Sequence, residues 1–285
     1  MNSSSFHLGL IGYPLGHSLS PKIHAAALKA CGLRGDYSLF PIHPDDKQGL
    51  KDLLNRVRSG EITGLNVTIP HKQNVIPLLD ELTPTAQAIG AVNTIYRHGE
   101  KLIGENTDAA GFLSDLKKNI GNWKLGIGKL ALVLGAGGAA RAVIYALLHD
   151  GWQVTLAARR IEQAGQLANS FTNYKLQVTS YETFQPSNLP TFNLLINTTP
   201  VGMSPNIEAS PLPENIVLNK NTVVYDLVYN PRETKLVKDA RANGLQATTG
   251  LGMLIEQAAL AFEIWTGCNP PRYFLFESVG ATRSD

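Results

Sequence analysis

The stretch KLALVLGAGGAARAVIYALLHDGWQVTLAARR, residues 129–160, sets how this chain folds. Leu130, Ala131, Leu132, Val133 and Leu134 form a continuous apolar run of strand length, the pattern of a strand buried on both faces of a parallel sheet. The run ends in Gly135-Ala136-Gly137-Gly138-Ala139-Ala140, with Gly135, Gly137 and Ala140 at the three special positions of a dinucleotide fingerprint. The first glycine permits the tight turn, the second lets backbone approach a pyrophosphate, and the small third residue lets the helix pack close to the strand. A helix over Ala139 to His149 offers free amides to an anion, Gly151 ends it, and Trp152 to Ala157 supply the next strand. An NAD site places an acidic residue about 20 positions beyond the first glycine. This chain has Ala157, Ala158, Arg159 and Arg160 there. A carboxylate would repel a 2′-phosphate, whereas guanidinium groups bind one through charge-assisted hydrogen bonds, so the predicted cofactor is NADP.

Beyond this stretch, the chain has 285 residues, 44% hydrophobic and 17% charged, enough to bury a large core and to form two domains. A formal net charge of +2, without a block of lysines and arginines, argues against a nucleic-acid footprint and for small-molecule work. Cys31 and Cys268 stand far apart without histidine partners at metal-binding spacing, so neither a disulfide framework nor a zinc site is expected, and no metal is assigned. The N-terminal residues lack a basic leader pattern, and no segment approaches the roughly 20 apolar residues of a membrane span. The expected setting is a reducing cytoplasm, with no membrane and no nucleic acid as partner.

A second series of elements precedes the glycine turn. Strands are expected near Phe6 to Ile11, Tyr37 to Ile42 and Gly64 to Ile69, with helices from Ser20-Pro21 to about Ala30 and from Asp45 to Val57. Ser20 reads as an N-cap and Pro21 as a first helical residue; Thr83-Pro84 repeats the pattern for a helix ending near Gly90. Ala91 to Arg97 and Lys101 to Gly104 flank His98-Gly99, a hairpin turn. Asp108 to Leu116 reads as a helix, and further strands are expected at Leu176 to Thr179, Phe192 to Asn197, Thr222 to Val228 and Leu245 to Thr248. Alternation of strands and helices implies parallel pairing with right-handed crossovers. In the helical pattern from Leu251 to Thr266, Leu254, Ile255, Ala258, Ala261, Phe262 and Trp265 form one apolar stripe. The fold class is α/β: an N-terminal α/β substrate-binding domain, a Rossmann-type NADP-binding domain, and a C-terminal helix returning to the first domain. The expected boundaries are 1–107 with 251–285 for the first and 108–250 for the second.

Polar groups gather at the ends of these elements, where ligand-binding groups tend to sit. Ser18 and Ser20 bring two hydroxyls to a helix start, an arrangement suited to a carboxylate; the structural alternative is that Ser20 only caps its helix. Asn66 and Thr68 alternate onto one strand face, and Lys72 follows just beyond. With Asp108 and Asn93 as company, Lys72 could position a substrate hydroxyl and exchange its proton. His17, His24 and His71 are rival catalysts, since histidine titrates near neutrality, but none has a carboxylate or cysteine at useful spacing.

Taken together, His17 to Pro21, Asn66-Val67-Thr68-Ile69-Pro70-His71-Lys72, Gly90 to Thr94, Asn106-Thr107-Asp108, Gly135 to Ala139 and Gly250 to Leu254 with Gln257 make the chain similar to the shikimate dehydrogenase family over nearly its whole length. The resemblance implies reversible, NADPH-dependent reduction of 3-dehydroshikimate to shikimate, a step towards chorismate and the aromatic amino acids. It implies that Ser18 and Ser20 hold the substrate carboxylate, and that Asn66, Thr68, Asn93, Asp108, Tyr229 and Gln257 surround the ring hydroxyls. Lys72 would be the acid/base with Asp108 beside it. Gly135, Ala136, Gly137, Gly138 and Ala139 would hold the pyrophosphate, Ala158, Arg159 and Arg160 the adenosine end, and Thr198, Leu227 and Gly250 the nicotinamide side. Ala158-Arg159-Arg160 stands where the family often has Asn-Arg-Thr, and His71 where it often has phenylalanine. The resemblance leaves open a monomer or homodimer. An NAD-using quinate/shikimate dehydrogenase and a non-catalytic metabolite- and nucleotide-sensing module are the alternatives, with folate-linked Rossmann enzymes more distant.

Overall fold

A computed structural model describes residues 5–120, 128–181, 192–213 and 216–282. The chain divides into two compact units, Met1–Gly111 with Ile255–Asp285, and Phe112–Leu254. Each boundary falls inside a helix, α4 (Asp108–Ile120) and α8 (Leu251–Thr266), whose first residues mark the boundaries expected from sequence. A helix can serve two cores along its length, which is why a helix start and a contact boundary differ by a turn.

The first unit is built on a six-stranded mixed sheet in the order β2-β1-β3-β5-β6-β4. β1 (Phe6–Gly12) pairs in parallel with β2 (Gly35–Pro41) and β3 (Gly64–Val67), and β5 (Thr94–His98) runs antiparallel to β3 and to β6 (Lys101–Glu105). The two-residue β4 (Glu81–Leu82) completes the edge. α1 (Ser20–Ala30) joins β1 to β2, and α2 (Lys47–Arg58) carries the chain from β2 across β1 to β3. The β5–β6 pair is the hairpin the sequence announces, with Gly99 at φ 62° as its turn requires. α3 (Pro84–Ile89) is capped by the Thr83 hydroxyl, which accepts from the Ala86 N–H at 3.2 Å, and ends at Gly90 in the left-handed region.

One core cluster lies between α2 and the sheet, with Leu50, Leu53, Leu54 and Val57 against Ile11, Leu65, Val67 and Ile95. Full burial of each such side chain is worth about 1.5–3 kcal/mol. α8 covers other positions: the Trp265 indole donates to the Ile95 carbonyl at 3.1 Å, and a Cβ on Gly64 would collide with that indole nitrogen. Of the expected stripe, Ile255, Ala258, Ala261, Phe262 and Trp265 are buried and Leu254 is half-buried. The C-terminal α9 (Arg272–Ser278) packs against α1.

Two expectations are corrected. Ser20 does not cap α1: it is the first helical residue, Leu19 holds the cap position, and no side chain caps that end. The Ser18 hydroxyl instead accepts from the Ser20 N–H at 3.2 Å. Cys31 and Cys268 are joined in a disulfide across 237 residues, with Cα atoms 6.5 Å apart. The end of α1 and the segment after α8 come together in the folded unit, a proximity that rules based on local cysteine spacing cannot register.

The second unit carries six parallel strands in the order β12-β11-β10-β7-β8-β9. β7 (Leu130–Leu134) lies at the centre, followed by α5 (Gly138–His149), β8 (Gln153–Ala158), α6 (Ile161–Ala168) and β9 (Leu176–Ser180) on one side. The chain then returns to the other side for β10 (Leu194–Asn197), β11 (Val223–Asp226), α7 (Lys235–Ala242) and β12 (Ala247–Thr249). The reversal between β7 and β10 is the switch point at which doubly wound sheets bind ligands, at the carboxyl ends of their strands. Leu132, Val133, Leu195, Ile196 and Val224 are buried completely, the mark of strands covered on both faces. Among the described residues no helix is long and apolar enough to cross a membrane.

Candidate active site

In the first unit the polar residues of four separate segments meet. Lys72 Nζ donates to Asp108 Oδ2 at 2.5 Å, with side chains only 14% and 6% exposed. Lys72 sits in the turn that follows β3 and the cis Ile69–Pro70 bond, and its carbonyl accepts from the Val92 N–H at 2.8 Å. Asp108 begins α4. The Asn106 side chain caps that helix, accepting from the N–H groups of Asp108 and Ala109, so the Asp108 carboxylate is left to face Lys72 and Asn93. The helix N-terminus adds a favourable field for its negative charge.

Asn93 organises the cluster. Its Oδ1 accepts from the Thr107 N–H at 2.7 Å, and because a backbone N–H can only donate, the orientation of the amide is settled. Its Nδ2 faces three acceptors: Asp108 Oδ1 and Thr107 Oγ1, each at 2.9 Å, and Gln257 Oε1 at 3.2 Å. An NH2 group carries two hydrogens, so these acceptors compete, and the longest contact, to Gln257, is the one a ligand hydroxyl can most readily displace. Gln257 is placed by α8, whose close approach to α4 needs Gly111: a Cβ there would lie 2.7 Å from the Gln257 backbone nitrogen.

Asn66 lies behind this group, accepting from the Tyr37 hydroxyl at 2.8 Å and donating to the Asn93 carbonyl at 3.2 Å. Thr68 follows β3, half-buried, with its methyl over Gly12. The Ser20 hydroxyl makes no hydrogen bond among the described residues, which removes the capping role as an explanation for it. Ser18 and Ser20 thus stand at the start of α1 with a hydroxyl available at its positive end.

The histidines do not compete for the central role. His24 is fully buried and stacked on Tyr37 at 4.3 Å, and burial pushes its pKa down to about 3, so it stays neutral. His71 is buried with Nε2 2.7 Å from the Ile42 carbonyl; that nitrogen must carry the hydrogen, and the ring ties the lysine turn to the end of β2. His17 is exposed.

In the second unit, the fingerprint residues sit at the carboxyl end of β7. Gly135 has φ 102°, and a Cβ there would meet the Thr198 hydroxyl at 2.9 Å. Gly137 occupies the cap position of α5 with open space where its side chain would be, so backbone can be approached closely. Gly138, Ala139 and the buried Ala140 form the first turn of α5, whose N–H groups lack intrahelical acceptors. Ala136 offers no side chain beyond a methyl; its carbonyl accepts from Gln163 at 3.0 Å.

Ala158 closes β8, and Arg159 and Arg160 follow, both exposed and with no side-chain hydrogen bond or ion pair among the described residues. Thr198 leaves β10 with its hydroxyl on the Leu134 carbonyl at 2.6 Å. Leu227 follows β11, and a Cβ on Gly250 would collide with the Leu227 carbonyl oxygen, so only glycine fits there. Tyr229 belongs to this unit and is half-buried; burial pushes its phenol pKa up. The open glycine, the free amides and the two unpaired guanidinium groups fit a dinucleotide carrying an extra phosphate.

Sequence reasoning did not single out Asp226, Asn197 or Tyr37. The first two form a buried hydrogen-bonded pair between the ends of β10 and β11, and nothing in local spacing marks them.

Comparison with known proteins agrees with both halves. Residues 10–95 match the family model of the shikimate dehydrogenase substrate binding domain, residues 116–237 that of shikimate/quinate 5-dehydrogenase, and residues 250–272 that of the shikimate 5′-dehydrogenase C-terminal domain. The shikimate dehydrogenase (NADP(+)) of Synechocystis sp. is 43% identical, with 90% of this chain and 89% of the relative covered. The crystal structure of shikimate 5-dehydrogenase from Thermus thermophilus in complex with NADP(H) and shikimate superposes with a TM-score of 0.84 at 39% identity, covering 96% of this chain and 98% of the other. Quinate dehydrogenase from Corynebacterium glutamicum in complex with NAD is also similar, with a TM-score of 0.86, 33% identity and 96% and 98% coverage. The chain belongs to the shikimate dehydrogenase (NADP+) family and is an NADP-dependent oxidoreductase.

Proposed function

We propose that the chain reduces 3-dehydroshikimate to shikimate, reversibly, with Lys72 as the general acid/base and Asp108 as its partner. The single observation that carries this reading is the buried Lys72–Asp108 contact at 2.5 Å, braced by Asn93. NADPH, when bound, supplies the hydride. As charge grows on the substrate oxygen, the Lys72 ammonium stabilises it and delivers a proton from Nζ; in the reverse direction the neutral amine takes the proton from the hydroxyl. Asp108 holds the ammonium in place and accepts from the same ring hydroxyl.

In this reading the first unit, the proposed substrate-binding domain, holds the substrate carboxylate on Ser18 and Ser20. Its ring hydroxyls lie among Asn66, Thr68, Asn93 and Gln257. The second unit, the proposed NADP-binding domain, holds the pyrophosphate on Gly135 to Ala139, the 2′-phosphate on Arg159 and Arg160 beside Ala158, and the nicotinamide beside Thr198, Leu227 and Gly250. The proposed state is a monomer or homodimer in the cytoplasm, where cellular reductants would hold Cys31 and Cys268 as thiols.

The likeness to an NAD-bound quinate dehydrogenase favours one rival, a quinate/shikimate dehydrogenase using NAD. Initial rates of NADPH and NADH oxidation with 3-dehydroshikimate, beside NADP+ and NAD+ reduction with quinate, separate the two. Turnover confined to NADPH and 3-dehydroshikimate supports the proposal. Preference for NADH or for quinate replaces it with the rival, and no turnover with any pair removes it.

A further inference from the structure

Asp226 closes β11 and is completely buried. Its Oδ1 accepts from Asn197 Nδ2 at 2.8 Å and from the Val228 N–H at 3.0 Å, and its Oδ2 accepts from the Thr234 hydroxyl at 2.6 Å. All three donors are neutral, and no cation pairs with the carboxylate among the described residues. Burial pushes its pKa up to about 6, so above neutrality it is an uncompensated buried charge. Such a charge costs stability.

An asparagine would keep two of the three contacts, its oxygen accepting from Asn197 and Val228. Its NH2 would face the Thr234 hydroxyl, whose oxygen already accepts from the Val237 N–H at 3.3 Å, so that hydroxyl would have to turn away from the amide. The three donors call for an acceptor but not for a full charge, and the position of Asp226 gives that charge a use. Asp226 immediately precedes Leu227, and its partner Asn197 immediately precedes Thr198, the two residues assigned above to the nicotinamide side. Asn197 also organises the exit from β10, accepting from the Thr199 N–H at 3.0 Å and the Thr199 hydroxyl at 2.7 Å. A nicotinamide ring carries a full positive charge when oxidised and none when reduced.

We infer that Asp226 is a positioning residue whose negative charge, fixed behind the ends of β10 and β11, favours the oxidised cofactor over the reduced one. This rests on the reading of Thr198 and Leu227 given under Proposed function. For any unit charge about 10 Å from a cation in an effective dielectric of about 20, Coulomb's law gives a change in affinity of about tenfold.

Isothermal titration of the full chain with NADP+ and separately with NADPH, at a pH well above the Asp226 pKa, tests the inference on wild type, Asp226→Asn and Thr234→Val. Asp226→Asn is expected to fold with an undiminished melting temperature, to bind NADP+ about tenfold more weakly and to bind NADPH within about twofold of wild type. Thr234→Val removes the hydrogen bond to the carboxylate and the cap of α7 but keeps the charge, and is expected to retain the wild-type ratio of the two affinities. Equal weakening of both forms in Asp226→Asn, no change in either, or loss of the ratio in Thr234→Val overturns the inference. So does an Asp226→Asn chain that cannot fold, because the charge would then serve the fold. Wild type that binds neither form removes the cofactor reading itself, and this inference with it.

Discussion

Neutralising Asp108 leaves the Lys72 ammonium buried without its counter-charge, and this sets a measurable penalty. The two side chains are 14% and 6% exposed and 2.5 Å apart, so water cannot replace the lost partner. Breaking a buried pair from one side costs about 3–5 kcal/mol, because one charge is stranded, whereas neutralising both partners together costs far less. Asp108→Asn and Lys72→Met are each expected to lower unfolding free energy by about 3 kcal/mol, with the carboxylate side partly relieved by Asn93 Nδ2 at 2.9 Å. The double variant is expected within about 1–2 kcal/mol of wild type, giving a coupling energy of several kcal/mol. Urea denaturation of the four proteins in one buffer measures it, provided the slopes of the transitions agree. Single variants that lose less than the double, or a double equal to the sum of its parts, would show that the pair is not a closed electrostatic unit.

Three further outcomes follow from particular contacts. Opening the Cys31–Cys268 bond with a dithiol reductant, or replacing both by serine, is expected to lower the stability of the first unit by about 2–5 kcal/mol, since the bond spans 237 residues; an unchanged urea midpoint would count against this. Asp226 has its folded pKa raised from 3.8 to about 6, so its contribution to stability is fully present below 3.8 and lost as pH rises through 6, a difference of about 3 kcal/mol. Asp226→Asn should therefore gain on wild type in thermal melts at pH 8 and lose that advantage towards pH 4; a gap independent of pH would exclude the shift. Replacing Arg159 and Arg160 with alanine is expected to raise KM for NADPH by about 10- to 100-fold while leaving KM for NADH alone, as each charge-assisted bond to phosphate is worth about 1.5–3 kcal/mol. Equal changes for both cofactors would deny the arginines their phosphate.

How much of this could be read from residues alone varies with the physics involved. The β7–α5 unit and the β5–β6 hairpin were legible because glycine geometry and apolar runs are local signals, and Leu251 to Thr266 was bounded correctly by its periodicity. No element was anticipated at α6, α7 or α9. α6 carries Gly165 in its middle, α7 has few apolar positions despite a Thr234 cap, and the aromatic run of α9 has strand-like propensity until Pro271 and packing on α1 settle it. The site was legible where residue types advertise chemistry, as with Lys72, Asp108 and Asn93. The supports were not: Tyr37 beneath Asn66, Asn197 against Asp226, and the cysteine pair are contacts across 29, 29 and 237 positions, the first two made by the sheet order and the third by helix packing, not by spacing.

If the Lys72 amine transfers the substrate proton, removing it must slow turnover without abolishing binding. The decisive comparison sets kcat for 3-dehydroshikimate reduction beside the dissociation constant of shikimate, in wild type and in Lys72→Met. Proton transfer by Lys72 predicts a fall in kcat of about 10²- to 10⁴-fold, the worth of a positioned acid/base, with shikimate affinity changed by less than about tenfold. A variant that keeps kcat within a few-fold of wild type would exclude Lys72 from the chemical step.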